Sequence, residues 1–284
     1  MVEHNNAFSA VDDLVRGVSG GMLFGIPLLY TMEVWWIGAA TTPTTMMVVL
    51  VVTFVFLILL VHAAGFHRSR ELRFSDVSIA AVEALAVGVV SATVVLLLLR
   101  ELTLGTPLGE GLGKIIYEAA PFAIGVAAAR HVFSHGRGES KDTPSRAEKR
   151  DGWSGTVADL GATFVGSVFI AFNIAPTEEI PMLAAATSPP VLLAVMAASL
   201  VISYGIVYEA DFGDQHARRE QQGILQHPVT ETMAAYLIAL VSSTLMLFFF
   251  RNVQLGDPGP HLISHVVLLG LPAAIGGAAG RLAV

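Results

Sequence analysis

The segment from Thr45 to Phe66 reads TMMVVLVVTFVFLILLVHAAGF and contains no Asp, Glu, Lys or Arg. A helix of about 20 apolar residues is long enough to cross the hydrocarbon core of a bilayer, which is roughly 30 Å thick. An uncharged run of this length is not needed to fill the core of a small soluble domain. The segment therefore predicts a transmembrane helix.

The rest of the chain has the same character. Of its 284 residues, 54% are hydrophobic and only 14% are charged, whereas a soluble domain carries about 25% charged residues. Seven further apolar windows are separated by turns rich in Pro, Gly and Thr. They are Val18 to Ala40, Val77 to Leu99, Ile115 to Val132, Thr156 to Ala175, Val191 to Val207, Thr230 to Phe250 and Ile263 to Leu282. The sequence thus predicts an all-α polytopic membrane protein with eight transmembrane helices.

The positions of the Lys and Arg residues predict the topology. With eight spans, thirteen of the sixteen basic residues fall on one side of the membrane, and only Arg100, Lys114 and Arg251 fall on the other. Basic residues accumulate in cytoplasmic loops. The polar, acidic start of the chain does not resemble a signal peptide. We therefore predict a multi-pass protein of the bacterial inner (plasma) membrane with both termini in the cytoplasm.

The two halves of the chain resemble each other. At an offset of 146, TMEVWWIGAATTP from Thr31 to Pro43 lies over TEEIPMLAAATSP from Thr177 to Pro189. After the second loop the offset becomes 151, which places Arg100 on Arg251 and Arg130 on Arg281. An even number of spans in each half gives both halves the same orientation. The prediction is two parallel four-helix repeats, 17–133 and 154–284, with a cytoplasmic N-terminus, 1–16, and a polar cytoplasmic linker, 134–153.

Paired carboxylates are the main candidates for a functional site. Glu33 and Glu179 occupy matched positions late in outward-running helices, and ionisable groups inside a span usually face a bundle interior or an aqueous cavity. We predict that both bind an ion, with Glu178 adding charge. Thr31, Thr177, Arg100 and Arg251 are expected to support them. Pro176 and Pro181 bracket the second motif, so freed backbone carbonyls could contribute.

Structural roles remain open for the same residues. The two glutamates could brace kinked helices, and Glu178 and Glu179 could lie in an outer loop. Arg100 and Arg251 could either pair with Glu33 and Glu179 or extend to the lipid headgroups. Glu83 and Glu118 lie within spans without an acidic counterpart, so they suit an asymmetric pathway or helix packing equally well. Trp35 and Trp36 are expected in the interfacial aromatic belt.

Several classes of activity lack their sequence signatures. There are no cysteines, so disulfides and thiolate sites are excluded. Phosphate-binding, zinc-protease and serine-hydrolase motifs and nucleic-acid-binding modules are missing as well. The sequence therefore does not support an enzyme, a cofactor or a nucleic-acid partner. Whether a metal binds is left open.

Two stretches of the sequence resemble known protein families. The order of GGMLFGIPLLYTMEVWW from Gly20 to Trp36 and PTEEIP from Pro176 to Pro181 resembles a bacterial family of integral membrane proteins of unknown function, which implies no particular activity. Locally, Thr31-Met-Glu33-Val-Trp35 resembles the selectivity-filter segment of bacterial voltage-gated cation channels. This chain departs from that pattern at Pro181, the counterpart of Trp35, and lacks the spaced arginines of a voltage sensor.

The function predicted from the sequence is transport or exchange of a small cation or proton by paired glutamates at the repeat interface. One alternative is a cation channel, in which a homodimer would form a pseudo-tetrameric pore. A non-transporting membrane scaffold or sensor is the alternative from a different class. The expected partners are the lipid bilayer and the transported cation or proton, and a homodimer is possible.

Overall fold

The structure is a computed structural model that describes residues 2–66, 73–132, 152–209 and 228–282. These ranges contain ten α-helices, two π-helical segments and no β-strand. The chain divides into two compact units, unit 1 (Met1–Ser134) and unit 2 (His135–Val284). The predicted linker, 134–153, lies outside the described residues except for its last two, with which a helix of unit 2 begins.

Unit 1 contains five helices, of which the second is much shorter than the others. A π-helical segment, Ala128–Val132, continues the last of them. The helices are α1 (Val2–Leu29), α2 (Met32–Ala40), α3 (Pro43–Phe66), α4 (Phe74–Leu98) and α5 (Leu108–Ala127).

The described part of unit 2 also contains five helices, and again the second is short. Here the π-helical segment, Gly205–Glu209, follows the third helix. The helices are α6 (Gly152–Ile174), α7 (Glu179–Ala186), α8 (Pro189–Tyr204), α9 (Pro228–Phe249) and α10 (Gly259–Leu282).

Six of these helices are long and apolar enough to cross a membrane, and the count is eight if each bent helix pair is one span. The bent pairs are α1 with α2 and α6 with α7, at angles of 89° and 87°. The prediction of one continuous helix from Val18 to Ala40 is therefore wrong. Pro27 removes a backbone hydrogen bond near the end of α1, and Thr31 is extended, with φ −143° and ψ 94°. The chain consequently turns before Glu33.

The last helix of each unit packs against the other four helices of that unit. In unit 1, α5 packs against α1, α2, α3 and α4, and in unit 2, α10 packs against α6, α7, α8 and α9. Glycines permit these approaches: a Cβ added to Gly125 would lie 2.3 Å from the Gly20 carbonyl oxygen, and one added to Gly166 would lie 2.1 Å from that of Gly276. Close contact between helices through small residues is therefore present in both units.

Candidate functional site

The three predicted glutamates differ in exposure. Glu33 lies in the first turn of α2 and is exposed, and Glu178 is also exposed. Glu179 is the first residue of α7 and is only 3% exposed. Neither Glu33 nor Glu179 lies in the outward-running helix that the sequence predicted, because each follows the bend. Their roles as ion ligands stay predictions.

The supporting threonines lie at the two bends. Thr31 precedes α2 and makes no side-chain cap hydrogen bond. The Thr177 hydroxyl donates to the Ile174 carbonyl oxygen at 2.6 Å, and the Asn252 side-chain amide donates to the carbonyl oxygen of Ala175. Two carbonyls released where α6 ends are thus already hydrogen-bonded by the protein.

The matched arginines share a backbone conformation that the sequence did not reveal. Arg100 and Arg251 have φ values of 64° and 63° and lie two residues after the last residues of α4 and α9. The left-handed conformation is typical of the residue after a helix, where glycine is usual. Both side chains are exposed. Within the described ranges neither pairs with Glu33 or Glu179, so of the two roles left open by the sequence, the ion pair is not observed.

A different glutamate occupies the interior of unit 1. Glu118 is 1% exposed and lies ten residues after the start of α5, about 15 Å along the helix at 1.5 Å per residue. Glu118 therefore lies inside a helix that is long and apolar enough to cross a membrane. Its Oε1 atom has no hydrogen-bond partner, and in the described part of the chain no cationic side chain is paired with it.

Trp35 is the polar neighbour of Glu118. Its indole N–H lies beside the carboxyl group of Glu118. The contact is not a well-formed hydrogen bond, because neither Trp35 Nε1 nor Glu118 Oε1 has a partner at hydrogen-bond distance and angle. Trp35 is 1% exposed, so its expected place in the aromatic belt is wrong, whereas Trp36 is 56% exposed. The bend after α1 allows α2 to lie against α5, which brings the indole to Glu118.

A charged cluster lies one turn before Glu118. The Lys114 ammonium contacts Glu101 Oε2 at 3.2 Å and Glu110 Oε1 at 3.1 Å, and it also donates to the Glu101 carbonyl oxygen at 3.2 Å. Glu110, Lys114 and Glu118 are spaced by four residues, so they share a face of α5. We call Glu101, Glu110 and Lys114 the entrance cluster. With one ammonium and two carboxylates, it carries a net charge of −1.

Unit 2 replaces each of these groups. At the offset of 151, the positions of Glu101, Glu110, Lys114 and Glu118 hold Asn252, His261, His265 and Leu269. The His261 and His265 rings lie 4.0 Å apart. No group of three or more metal-binding side chains occurs among the described residues. The carboxylate that α5 buries in unit 1 is thus missing from α10.

The far end of each central helix carries a second charged group. In unit 1, Arg130 pairs with Glu83 at 3.2 Å and donates to the Asp13 carbonyl oxygen. Its counterpart in unit 2, Arg281, pairs with Glu231 and donates to the Tyr208 hydroxyl at 3.0 Å. The Tyr208 hydroxyl in turn donates to Glu231. Arg281 is 2% exposed, so this group is deeply buried.

The sequence contained a signal for Glu118 that symmetry obscured. A carboxylate inside a span is unusual on its own. The comparison of the two halves, however, selected only residues that have an acidic counterpart in the other half. Glu33 and Glu179 satisfied that requirement and Glu118 did not. Its contact with Trp35 depends on the bend between α1 and α2, which the span prediction did not include.

The comparisons with known proteins give a family and no closer relative. The chain belongs to the family described as "Putative integral membrane protein (DUF2391)", whose model matches residues 13–284. No curated protein and no solved structure matches the chain. The resemblance noted in the sequence is confirmed, and the chain is an integral, multi-pass membrane protein.

Proposed function

Starting from its membership of an integral membrane family, we propose that the protein transports or exchanges a proton or another small cation across the membrane, with Glu118 binding the ion. The burial of Glu118 in α5, with Oε1 unpartnered, carries this proposal. A carboxylate inside a transmembrane helix is costly in a bilayer and typically marks an ion or proton pathway. Packing alone would be served by Leu, the residue at this position in unit 2.

The entrance cluster supports the direction of the pathway. Lys114 is engaged by Glu101 and Glu110, so it is not the counter-ion of Glu118. The net charge of −1 at this end of α5 attracts cations and raises their local concentration. In the proposed topology this end faces the outside, and the path runs inward from the entrance cluster to Glu118.

Glu179 is the second carboxylate in the proposal. It and Glu118 are the acidic residues that are buried among those whose exposure the structure describes. Glu179 begins α7 directly after the 87° bend. Broken helices in transporters often present ion-binding groups at such points. We assign Glu179 to ion binding in unit 2, and the cooperation of Glu33 with Glu179 remains a prediction.

We propose that this transporter consists of two parallel repeats. Each repeat begins on the cytoplasmic side of a bacterial membrane. Support comes from the matched sequence motifs, the bends of 89° and 87° at matched places and the left-handed Arg100 and Arg251. Parallel repeats built around buried carboxylates suit alternating access. We therefore favour a transporter or exchanger over a channel.

The test is ion flux in proteoliposomes. Purified full-length protein is reconstituted with an internal pH dye or a Na⁺- or K⁺-sensitive dye, and an ion gradient is imposed. We expect Glu118→Gln to reduce the flux at least tenfold, because the amide keeps the size and loses the charge. Asp76→Asn is the control, because Asp76 is exposed in the first turn of α4 and belongs to neither proposed ion site. Glu179→Gln should also reduce the flux.

The outcomes separate the functional classes. Folded wild-type protein that moves no cation would overturn the proposal in favour of a scaffold or sensor. Flux that is unchanged in both Glu118→Gln and Glu179→Gln would show that the buried carboxylates are structural. Rates far above those of a carrier, without exchange of one ion for another, would contradict the choice of a transporter over a channel.

A further inference from the structure

The groups around Glu118 distinguish between the ions that it could bind. Metal cations such as Ca²⁺ and Mg²⁺ require six or more oxygen ligands arranged around the ion, and ion filters surround K⁺ with rings of carbonyl oxygens. Glu118 supplies one carboxyl group. The neighbour that the structure gives it, the Trp35 indole N–H, is a donor only and presents a positive hydrogen to any approaching cation.

The cationic group one turn away also opposes a metal ion. Lys114 lies four residues before Glu118 on the same face of α5, and its ammonium is a donor with no lone pair. Glu101 and Glu110 contact this ammonium at 3.2 Å and 3.1 Å. The carboxylates of the entrance cluster are therefore engaged by Lys114.

A proton has none of these requirements. It forms one covalent O–H bond with one carboxylate oxygen, and Glu118 Oε1 is buried without a partner. The neutral acid that results removes a charge from the apolar interior, where an unpaired charge is expensive. The indole N–H then stabilises the carboxylate after the proton has left, so both forms are accommodated without a counter-ion.

We infer that the ion bound at Glu118 is a proton and not a metal cation, and that Trp35 is the positioning residue that hydrogen-bonds the carboxylate form. This inference rests on the proposed function only in naming the transported species. The binding event itself, protonation of one carboxyl oxygen, is observable whether or not transport occurs.

Infrared spectroscopy of the full-length protein in liposomes tests the binding event. A protonated carboxyl group has a carbonyl stretch that the carboxylate lacks. We expect a pH-dependent carboxyl band that is absent in Glu118→Gln and present in Asp76→Asn. Replacing Na⁺, K⁺, Mg²⁺ or Ca²⁺ in the buffer at constant pH should leave it unchanged. A band that any of these metal ions removes, or spectra of wild type and Glu118→Gln that match at every pH, would overturn the inference.

The role of Trp35 has its own measurement. Trp35→Phe keeps an aromatic ring and removes the N–H donor, so we expect the midpoint of the Glu118 band to rise in pH while the protein remains folded. Trp36→Phe is the matched control, because Trp36 is 56% exposed and adjacent in sequence. Equal midpoints in Trp35→Phe and wild type would contradict the positioning role.

The two proposals fail in different ways. A titrating Glu118 band in a protein that moves no proton or metal ion overturns the proposed function and leaves the inference standing. Flux of a metal cation that depends on Glu118, with a carboxyl band that this cation displaces, overturns the inference and preserves the proposed function. Proton flux that is lost together with the band in Glu118→Gln supports both.

Discussion

Unit 1 and unit 2 bend after their first helices at matched positions, by 89° and 87°, but they distribute buried charge differently. Unit 1 buries Glu118 in its central helix and leaves Glu33 exposed, whereas unit 2 buries Glu179 and has Leu269 in the central helix. Backbone geometry has therefore been kept where the ionisable groups have changed. Matching the two halves in sequence therefore identifies the shared backbone geometry, but it does not identify where the buried carboxylates lie.

The paired arginines make the same point at finer scale. Arg130 and Arg281 are matched, but their partners Glu83 and Glu231 are not: at the offset of 151, Glu231 corresponds to Ala80, three residues before Glu83. Three residues are about one helical turn, so either position can reach an arginine on the neighbouring helix. The ion pair is present in both units although the glutamates do not align.

The largest expected effect concerns the topology of the matched turns. Leu104 and Leu255 correspond at the offset of 151 and are 109% and 96% exposed. Because the chain has no cysteine, Leu104→Cys and Leu255→Cys create single labelling sites. In intact cells both should react with a membrane-impermeant maleimide, while Gly138→Cys should react only after lysis. Labelling of one turn without the other would contradict parallel units.

The next effect compares the two arginine pairs. Arg281→Met leaves Glu231, whose side chain is 17% exposed, without its cation. Breaking a fully buried pair costs about 3–5 kcal/mol, so a loss of about 3 kcal/mol is expected for this partly exposed partner. Arg130→Met should cost about 1 kcal/mol or less, because pairs with an exposed partner contribute little and the Glu83 side chain is 59% exposed. Thermal unfolding in detergent should show the larger loss for Arg281→Met.

A second substitution sharpens the interpretation of that loss. Removing both partners of a buried pair is often nearly neutral, so Arg281→Met combined with Glu231→Leu should recover much of the stability. No recovery in the double variant would mean that Arg281 acts through packing and the Tyr208 contact instead of through its charge.

A smaller effect is expected where α2 meets α5. A Cβ on Gly113 would lie 1.9 Å from the Gly38 carbonyl oxygen, whereas unit 2 has Ser264 and Ala184 at these positions. Gly113→Ser should displace α2 and cost about 1–3 kcal/mol, as overpacking does. Gly109→Ser, where the added Cβ meets nothing within 4 Å, is the control. Trp35 fluorescence should change only in Gly113→Ser; a matching change in both would show that α2 does not depend on this contact.

Composition was sufficient to predict the membrane class, because hydrocarbon thickness acts on local sequence. The contacts of α1 with α5 and of α6 with α10 required the structure. The bend before Glu33 was not predictable from hydropathy, since Met32–Ala40 is as apolar as a span. Glu118 and Trp35 lie 83 positions apart in sequence, so their contact is a result of tertiary packing. The sequence could identify each residue as a candidate, but it could not predict that the two are in contact.

The smallest effect tests why Arg100 and Arg251 are matched. Both adopt the left-handed conformation, which costs a residue with a Cβ about 1 kcal/mol relative to glycine. Arg100→Gly and Arg251→Gly should therefore each stabilise the protein by about 1 kcal/mol, while Arg100→Ala and Arg251→Ala retain the strain and should not. If the side chains instead matter through ion pairs or lipid headgroups, the Gly and Ala variants would be destabilised alike. Unfolding in detergent and in native-lipid nanodiscs separates these cases, because only a headgroup contact depends on lipid.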